Sequence, residues 1–366
     1  MSERSKIHVP DWIRTLTPYP PGKPIEEVER EYGIRDSIKI ASNENPLGPS
    51  PKAVEAIRGV LSRLHRYPEG NCYYLREALA ARLNVAESQL IFGNGSNEII
   101  ELIIRTFLQP GDEAVMSDQA FVVYRLIVQA AGGRSRALPL RDFTHDVDAI
   151  AAAITPQTRV VFLANPNNPT GTIFFQRDWE RFLSLVPPEV IIAMDEAYAE
   201  YVEDPEYPDS LAAMRAGRRM VILRTFSKIY GLAGLRVGYG IAPAELVDLM
   251  DRVRQPFNVN SLAQVGAIAA LGDGEHVERS RTCNRSGMAW LRRECERLGL
   301  EVVPSWANFL LIRVGDGARV YDALLPQGVI VRPMKVYGFP EHVRVTVGTA
   351  SENERFIAAL ENVLHD

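Results

Sequence analysis

Val190-Ile191-Ile192-Ala193-Met194-Asp195-Glu196-Ala197-Tyr198 is the stretch on which the fold of this chain turns. Five apolar residues run without interruption into an acid. A run with no polar alternation predicts a strand buried on both faces, as in a mostly parallel sheet covered by helices. Asp195 then falls at the carboxyl end of that strand, where open α/β sheets hold their ligands. A carboxylate buried there needs a cationic partner; the plainer alternative is an acid that caps the next helix.

Similar apolar runs bounded by turn residues recur at 89–92, 113–116, 160–164, 220–223 and 237–241. Helical patterns lie between several of them, at 97–108, 121–131 and 176–185, and the alternation predicts an α/β fold. Residues 244–271 and 275–298 read as long helices, followed by strands near 309–313 and 343–347 and a closing helix at 351–364. Before the first apolar run, residues 1–35 read as an arm and a short helix over the Glu-rich stretch 26–31, and Ile38 to Ala41 as a brief strand ahead of a Pro/Gly loop. The expected division is an arm at 1–35, a large domain at 36–265 and a smaller α/β C-terminal domain at 266–366, with residues near 25–50 packing on the smaller one.

A chain of 366 residues is too long for one small core, and its 46% apolar and 24% charged content is that of an ordinary globular protein. Lys plus Arg number 41 and Asp plus Glu 46, a net charge of −5, with neither the basic patch nor the basic tail of a nucleic-acid binder. Cys72, Cys283 and Cys295 form no CxxC pair, which argues against a disulfide framework or a structural zinc site, so no metal is expected. Met1 to Pro10 has no apolar core of a signal peptide, and the apolar runs are too short to span a membrane. A cytoplasmic location is the expectation.

Four further segments carry chemistry. In Arg224-Thr225-Phe226-Ser227-Lys228-Ile229-Tyr230-Gly231-Leu232-Ala233-Gly234-Leu235-Arg236, Lys228 follows a buried strand. Desolvation there lowers an amine's pKa and makes it a nucleophile. Ser227 and Arg236 lie near enough in sequence to converge on one anion; the alternative is a solvated loop. Asn165-Pro166-Asn167-Asn168-Pro169-Thr170-Gly171 is a Pro-rich turn, or a loop that fixes the Asn168 amide. Gly93-Asn94-Gly95-Ser96-Asn97-Glu98 links a strand to an apolar helix. Glycine allows the tight turn, and the helix start suits a phosphate, although Ser96 or Asn97 could simply cap it. Arg332 and Arg344 are either surface arginines or a pair that grips a carboxylate or phosphate.

The order of these segments, ending in Arg344-Val345-Thr346-Val347-Gly348, resembles the fold-type I pyridoxal-phosphate (PLP) aminotransferases. More narrowly, the chain is similar to the histidinol-phosphate aminotransferase family. That likeness rests on Pro18-Tyr19-Pro20-Pro21-Gly22-Lys23-Pro24, on Ala41 to Ser50 (ASNENPLGPS), on Arg66-Tyr67-Pro68-Glu69-Gly70, on Pro256-Phe257-Asn258-Val259-Asn260 and on Val331-Arg332-Pro333-Met334, and it runs from about residue 10 to residue 364. It implies a large domain built on a mostly parallel seven-stranded sheet, a smaller C-terminal domain, PLP as cofactor and a homodimer. Lys228 would carry the cofactor and shuttle the substrate proton. Asp195 would pair with the ring nitrogen, Tyr198 and Asn168 with the ring oxygen, and Phe121 would stack on the ring. Gly95, Ser96, Asn97, Ser227 and Arg236 would hold the cofactor phosphate, joined by Tyr67 from the neighbouring subunit. Arg344 and Arg332, with Tyr19 from the partner's arm, would bind the substrate anion.

The reaction so implied passes the amino group of L-histidinol phosphate to 2-oxoglutarate, giving imidazole-acetol phosphate and L-glutamate in histidine biosynthesis. The chain departs from relatives at Ala350-Ser351-Glu352, where an Arg or charged pair is common, and at Asp118-Gln119-Ala120, which replaces a Pro-Thr pair. These departures bear on the substrate more than on the reaction. An aromatic-amino-acid aminotransferase, or a PLP-dependent phospho-amino-acid decarboxylase, is the alternative.

Overall fold

The apolar runs fold as strands, and most of them join one sheet. A computed structural model describes residues 7–365; the first six residues of the expected arm, and Asp366, lie outside them. After a short strand β1 (Ile38–Lys39) come β2 (Leu90–Gly93), β3 (Glu113–Ser117), β4 (Arg134–Leu138), β5 (Thr158–Ala164), β6 (Ile191–Asp195), β7 (Met220–Thr225) and β8 (Gly238–Ile241). The last seven form one sheet in the order β2-β8-β7-β6-β5-β3-β4. β8 runs antiparallel to both neighbours and every other pair is parallel. Two apolar clusters cover its faces, one around Leu163, Ile192, Met194 and Ile222 and the other around Ile91, Phe162, Ala193 and Leu223. Alternate residues of β5 and β6 thus enter opposite clusters, which is why these strands show no polar alternation.

This topology brings the chemistry to one edge. β2, β3, β5, β6 and β7 all end on it, and the reversed β8 begins there. Ala164 pairs with Asp195 at the ends of β5 and β6, so the loop from Asn165 and the turn from Glu196 to Tyr198 leave the sheet side by side. The loop that carries Lys228 joins β7 to β8, whose pairing closes with Thr225 opposite Gly238.

The C-terminal part has its own sheet. β9 (Glu301–Val302), β10 (Phe309–Arg313), β11 (Val329–Ile330), β12 (Arg332–Pro333) and β13 (His342–Thr346) follow the long helix Gly274–Arg297. Four of these strands form an antiparallel sheet ordered β12-β13-β10-β9. β11 instead pairs with β1, which draws residues 38–39 onto this layer. Leu310, Val343, Val345 and Phe356 are at its core, beneath the helices Gly274–Arg297 and Ala350–His365.

Two features differ from the sequence reading. The helix expected over 244–271 is two helices, Ala244–Asp251 and Ser261–Leu271. Pro256 cannot continue a helix, and the Asn260 side chain restarts one by accepting the Ala263 N–H at 2.8 Å. β4, Arg-Ser-Arg-Ala-Leu, is a sheet edge with four exposed residues and so lacks the apolar signal. Among the described residues no His/Cys/Asp/Glu group could hold a metal ion, and no helix is long and apolar enough to cross a membrane.

Gly231 shows how tightly the Lys228 loop is seated. Its φ is +67°, and a Cβ there would collide with the backbone carbonyl of Gly48. The Gly231→Ala substitution is expected to cost at least about 2 kcal/mol, the sum of a left-handed alanine and a backbone collision. Thermal or urea unfolding measures this; an unchanged midpoint would show that the two loops move apart freely.

Candidate active site

A cavity of about 430 Å³ opens on that sheet edge, between the two layers. Lys228, Asp195, Tyr198, Asn168, Phe121, Gly95, Ser96, Asn97, Ser227, Arg236, Tyr19, Arg332 and Arg344 all line it. Tyr67 does not: it is 83% exposed and stacks on Phe257 with ring centroids 4.9 Å apart.

Lys228 reaches into the cavity from the β7–β8 loop. Its amine donates to the Ser42 carbonyl at 3.3 Å and lies over the Tyr198 ring. Burial lowers its pKa to about 8, and the guanidiniums of Arg344 and Arg236 push the same way against Glu44 and Asp195. The amine is therefore partly uncharged near neutral pH, as a nucleophile or base requires.

Asp195 is 6% exposed at the end of β6. One carboxylate oxygen accepts the Tyr124 hydroxyl at 2.6 Å, and the other accepts the Ala197 N–H at 3.1 Å. Burial raises its pKa, and these two hydrogen bonds resist the rise. No cation bonds it among the described residues. The Tyr198 hydroxyl accepts from the Asn43 amide at 2.8 Å. The Asn168 side-chain amide oxygen accepts from Arg344 at 2.5 Å.

At the β2 edge, the helix Ser96–Phe107 begins after Gly95, with no side-chain cap. Neither Ser96 nor Asn97 therefore acts as the cap that the plainer reading allowed, and the first helical N–H groups stay available to an anion. Gly95 has a φ of +71°, and a Cβ there would come within 2.6 Å of the Arg236 guanidinium. Arg236 in turn donates to the Ser227 hydroxyl at 3.4 Å. A glycine turn, a helix start, a hydroxyl and a guanidinium thus line one part of the cavity.

The opposite wall carries two arginines, Arg332 9% and Arg344 6% exposed. They face each other across β12 and β13, where they pair in register. Neither meets a carboxylate among the described residues, and the Nε of Arg344 has no partner there. Tyr19 of the same chain lies beside Arg332, with its hydroxyl accepting at 3.3 Å. Near it, the Trp12 carbonyl accepts from Gln129 at 2.9 Å, and Arg332 donates to the Pro20 carbonyl at 2.8 Å. These bonds hold the Pro-rich stretch against its own chain.

Several lining residues went unassigned in the sequence reading: Tyr124, Asn43, Glu44 and Tyr337. Tyr124 sits three residues past Phe121, a helical spacing that turns both rings to one side. Asn43 and Glu44 lie inside a quoted motif whose side chains carried no role. Nothing local distinguishes Tyr337.

The arrangement could hold a phosphorylated heteroaromatic ring. The Gly95–Arg236 cradle would take its phosphate, Asp195 a ring cation, and Lys228 a carbonyl carbon. Comparison with known proteins names the class. A family model described as aminotransferase class I and II matches residues 35–360, and the chain belongs to that family. It is 54% identical over 354 residues to the histidinol-phosphate aminotransferase of Moorella thermoacetica, covering 96% of this chain and 92% of that one. The histidinol-phosphate aminotransferase 1 of Nitrosococcus oceani is 52% identical over 97% of this chain and 96% of its own. The crystal structure of histidinol-phosphate aminotransferase from Sinorhizobium meliloti, in complex with pyridoxal-5'-phosphate, superposes with a TM-score of 0.91 at 25% identity, covering 100% of this chain and 99% of that one. Within its family, the chain groups with the histidinol-phosphate aminotransferases.

The lowered Lys228 pKa has a consequence for stability. Unfolded, the amine holds its proton up to the ordinary value of 10.5; folded, it loses it near 8. The buried charge therefore destabilises the fold below about pH 8, and this cost fades as pH rises toward 10.5. Ligand-free Lys228→Met is expected to melt above the unsubstituted protein at pH 7, with the gap closing by pH 10. Thermal unfolding at several pH values checks this, and a gap that does not vary with pH contradicts it.

Proposed function

We propose that this protein transfers the amino group of L-histidinol phosphate to 2-oxoglutarate, giving imidazole-acetol phosphate and L-glutamate, as a step of histidine biosynthesis. The observation that carries the reading is the pair of buried guanidiniums, Arg332 and Arg344, facing the Lys228 amine across one cavity without a carboxylate partner among the described residues. Two buried cations without counterions are costly, and a substrate anion would compensate them. The names of relatives at about half identity support histidinol phosphate over aromatic amino acids and over decarboxylation.

The cavity fits pyridoxal phosphate on its own chemistry: a buried carboxylate lacking a cation, an amine held near pH 8, and a glycine turn that a side chain would fill. When bound, pyridoxal phosphate supplies the electron sink and carries the amino group between the two substrates. In this reading Asp195 keeps the ring nitrogen charged, and Tyr198 and Asn168 hydrogen-bond the ring oxygen. Phe121 covers the ring face. Gly95, Ser96, Asn97, Ser227 and Arg236 hold the phosphate. Lys228 would anchor the cofactor and, once displaced by the substrate amine, would take the proton from the amine-bearing carbon and deliver it to the carbonyl-derived carbon of the cofactor. Arg344 and Arg332, with Tyr19, bind the phosphate of histidinol phosphate, and Arg344 the carboxylate of glutamate.

The active form in this reading is a cytoplasmic homodimer. Leu61, Leu64, Tyr67, Tyr73, Tyr74 and Phe257 leave large apolar surface exposed, more than an isolated chain gains from. Tyr67, outside its own cavity, would complete the phosphate site of the partner.

Glutamate formation tests the substrate. The kcat/KM for histidinol phosphate should exceed that for L-phenylalanine at least tenfold, about 1.4 kcal/mol of discrimination. Arg332→Gln should lower it by roughly ten- to a hundredfold, the loss of a charge-assisted hydrogen bond worth about 1.5–3 kcal/mol. Equal or reversed preference would move the protein to the aromatic-amino-acid aminotransferases.

A further inference from the structure

Tyr124 is fully buried in the helix Val123–Ala130, yet it lines the cavity, and its hydroxyl donates to the Asp195 carboxylate oxygen 2.6 Å away. Its ring is held from two sides. It stacks on Phe162 of β5, with centroids 4.6 Å apart and planes within 7°. Its edge meets Phe121, with centroids 5.6 Å apart and planes at 88°. A phenol ring held in this way has little rotamer freedom left, so the position of its oxygen follows from the packing of the sheet. It also stays protonated. Burial and the neighbouring carboxylate drive its pKa well above the ordinary tyrosine value, so the proton remains on Tyr124 and the hydrogen bond always points toward Asp195.

Asp195 needs such a donor. Burial drives its carboxyl toward the neutral form, and the Tyr124 hydroxyl is the strongest force opposing that drift, ahead of the Ala197 N–H. Each donor occupies a different oxygen. Together they fix the plane of the carboxylate as well as its charge.

We propose that Tyr124 is a positioning residue for the amino-transfer reaction: by donating to Asp195 it holds that carboxylate ionised and aimed, so that the cofactor's ring nitrogen keeps its proton. This rests on the pyridoxal-phosphate reading given above. The same residue also backs Phe121, so one buried ring supports both the charge partner and the stacking partner assigned to the cofactor. Without the hydroxyl, the carboxylate becomes more basic and the proton shared with the ring nitrogen shifts onto Asp195. No bond to carbon changes in this step; one proton moves between two atoms.

The experiment uses the holoenzyme loaded with pyridoxal phosphate carrying ¹⁵N in the ring, since the ¹⁵N shift reports the protonation of that nitrogen. Wild type is measured first. If it takes up no pyridoxal phosphate, or the loaded protein forms no glutamate from histidinol phosphate, the reading beneath the proposal fails before Tyr124 is tested. Tyr124→Phe keeps the ring and its stacking but removes the donor. Its ¹⁵N signal is expected to move toward the unprotonated position at pH 7, and its dissociation constant for pyridoxal phosphate to rise about tenfold. An unmoved ¹⁵N signal overturns the proposal even if affinity falls, because a packing defect alone would weaken binding; the aminotransferase reading would then stand and Tyr124 would only pack. Should Tyr124→Phe not fold, 3-fluorotyrosine at position 124 keeps both shape and hydroxyl. Its ¹⁹F signal should respond more to pyridoxal phosphate than to the 1-deaza analogue, which lacks the ring nitrogen. Equal responses overturn the proposal.

Discussion

A carboxylate at the end of a buried strand cannot hold its charge unaided. Asp195 is nearly buried at the sheet edge, and burial works against its charge. Each neighbouring group can be understood as a response to that constraint. Tyr124 and the Ala197 N–H each donate to one oxygen, and the Lys228 amine contributes positive charge from across the cavity. Lys228 has the opposite difficulty, since burial lowers its pKa to about 8. The two groups do not neutralise each other by contact. The space between them is left for a ligand that carries its own charge, and the cavity is built around that gap.

The strands were legible because burial on both faces leaves an unbroken apolar run. The parallel order could be expected from the alternation with helices, but the reversed β8 could not. Its sequence, Gly-Tyr-Gly-Ile, reads as one more apolar run, and direction is set by the short connection from β7. The edge strand β4 escaped notice because four of its five residues, two of them arginines, are exposed. The break at Pro256 was visible in the residue but was overruled by apolar periodicity on either side. For the site, residues at strand ends stood out because an abrupt change from apolar to polar marks them. Tyr124 did not, because it lies inside a helix and its partner is 71 residues away. The place of Tyr19 beside Arg332 goes with the docking of Trp12 and Pro20, which no local pattern encodes.

The arginines on the far wall show how the C-terminal layer contributes. Arg332 and Arg344 belong to neighbouring antiparallel strands and stand opposite each other in register. Like charges at such a position are unfavourable. Arg344 is restrained by the Asn168 side chain and the Ala41 carbonyl, and Arg332 by the arm. Arg344 also lies over the face of Phe309. The repulsion is tolerated because each guanidinium is tethered to a different segment.

That division of labour has a further consequence. Lys228 and Arg236 share one connection between β7 and β8, and the pairing of Thr225 with Gly238 fixes its length at both ends. An inserted or deleted residue there would displace amine and guanidinium together, so this part of the molecule can drift only in side chains. The groups of the opposite wall come from elsewhere, from the arm at Tyr19 and from two C-terminal strands. Mutation can therefore remodel what the protein accepts while its chemical machinery stays intact. In evolutionary terms the molecule is a fixed engine with an exchangeable intake.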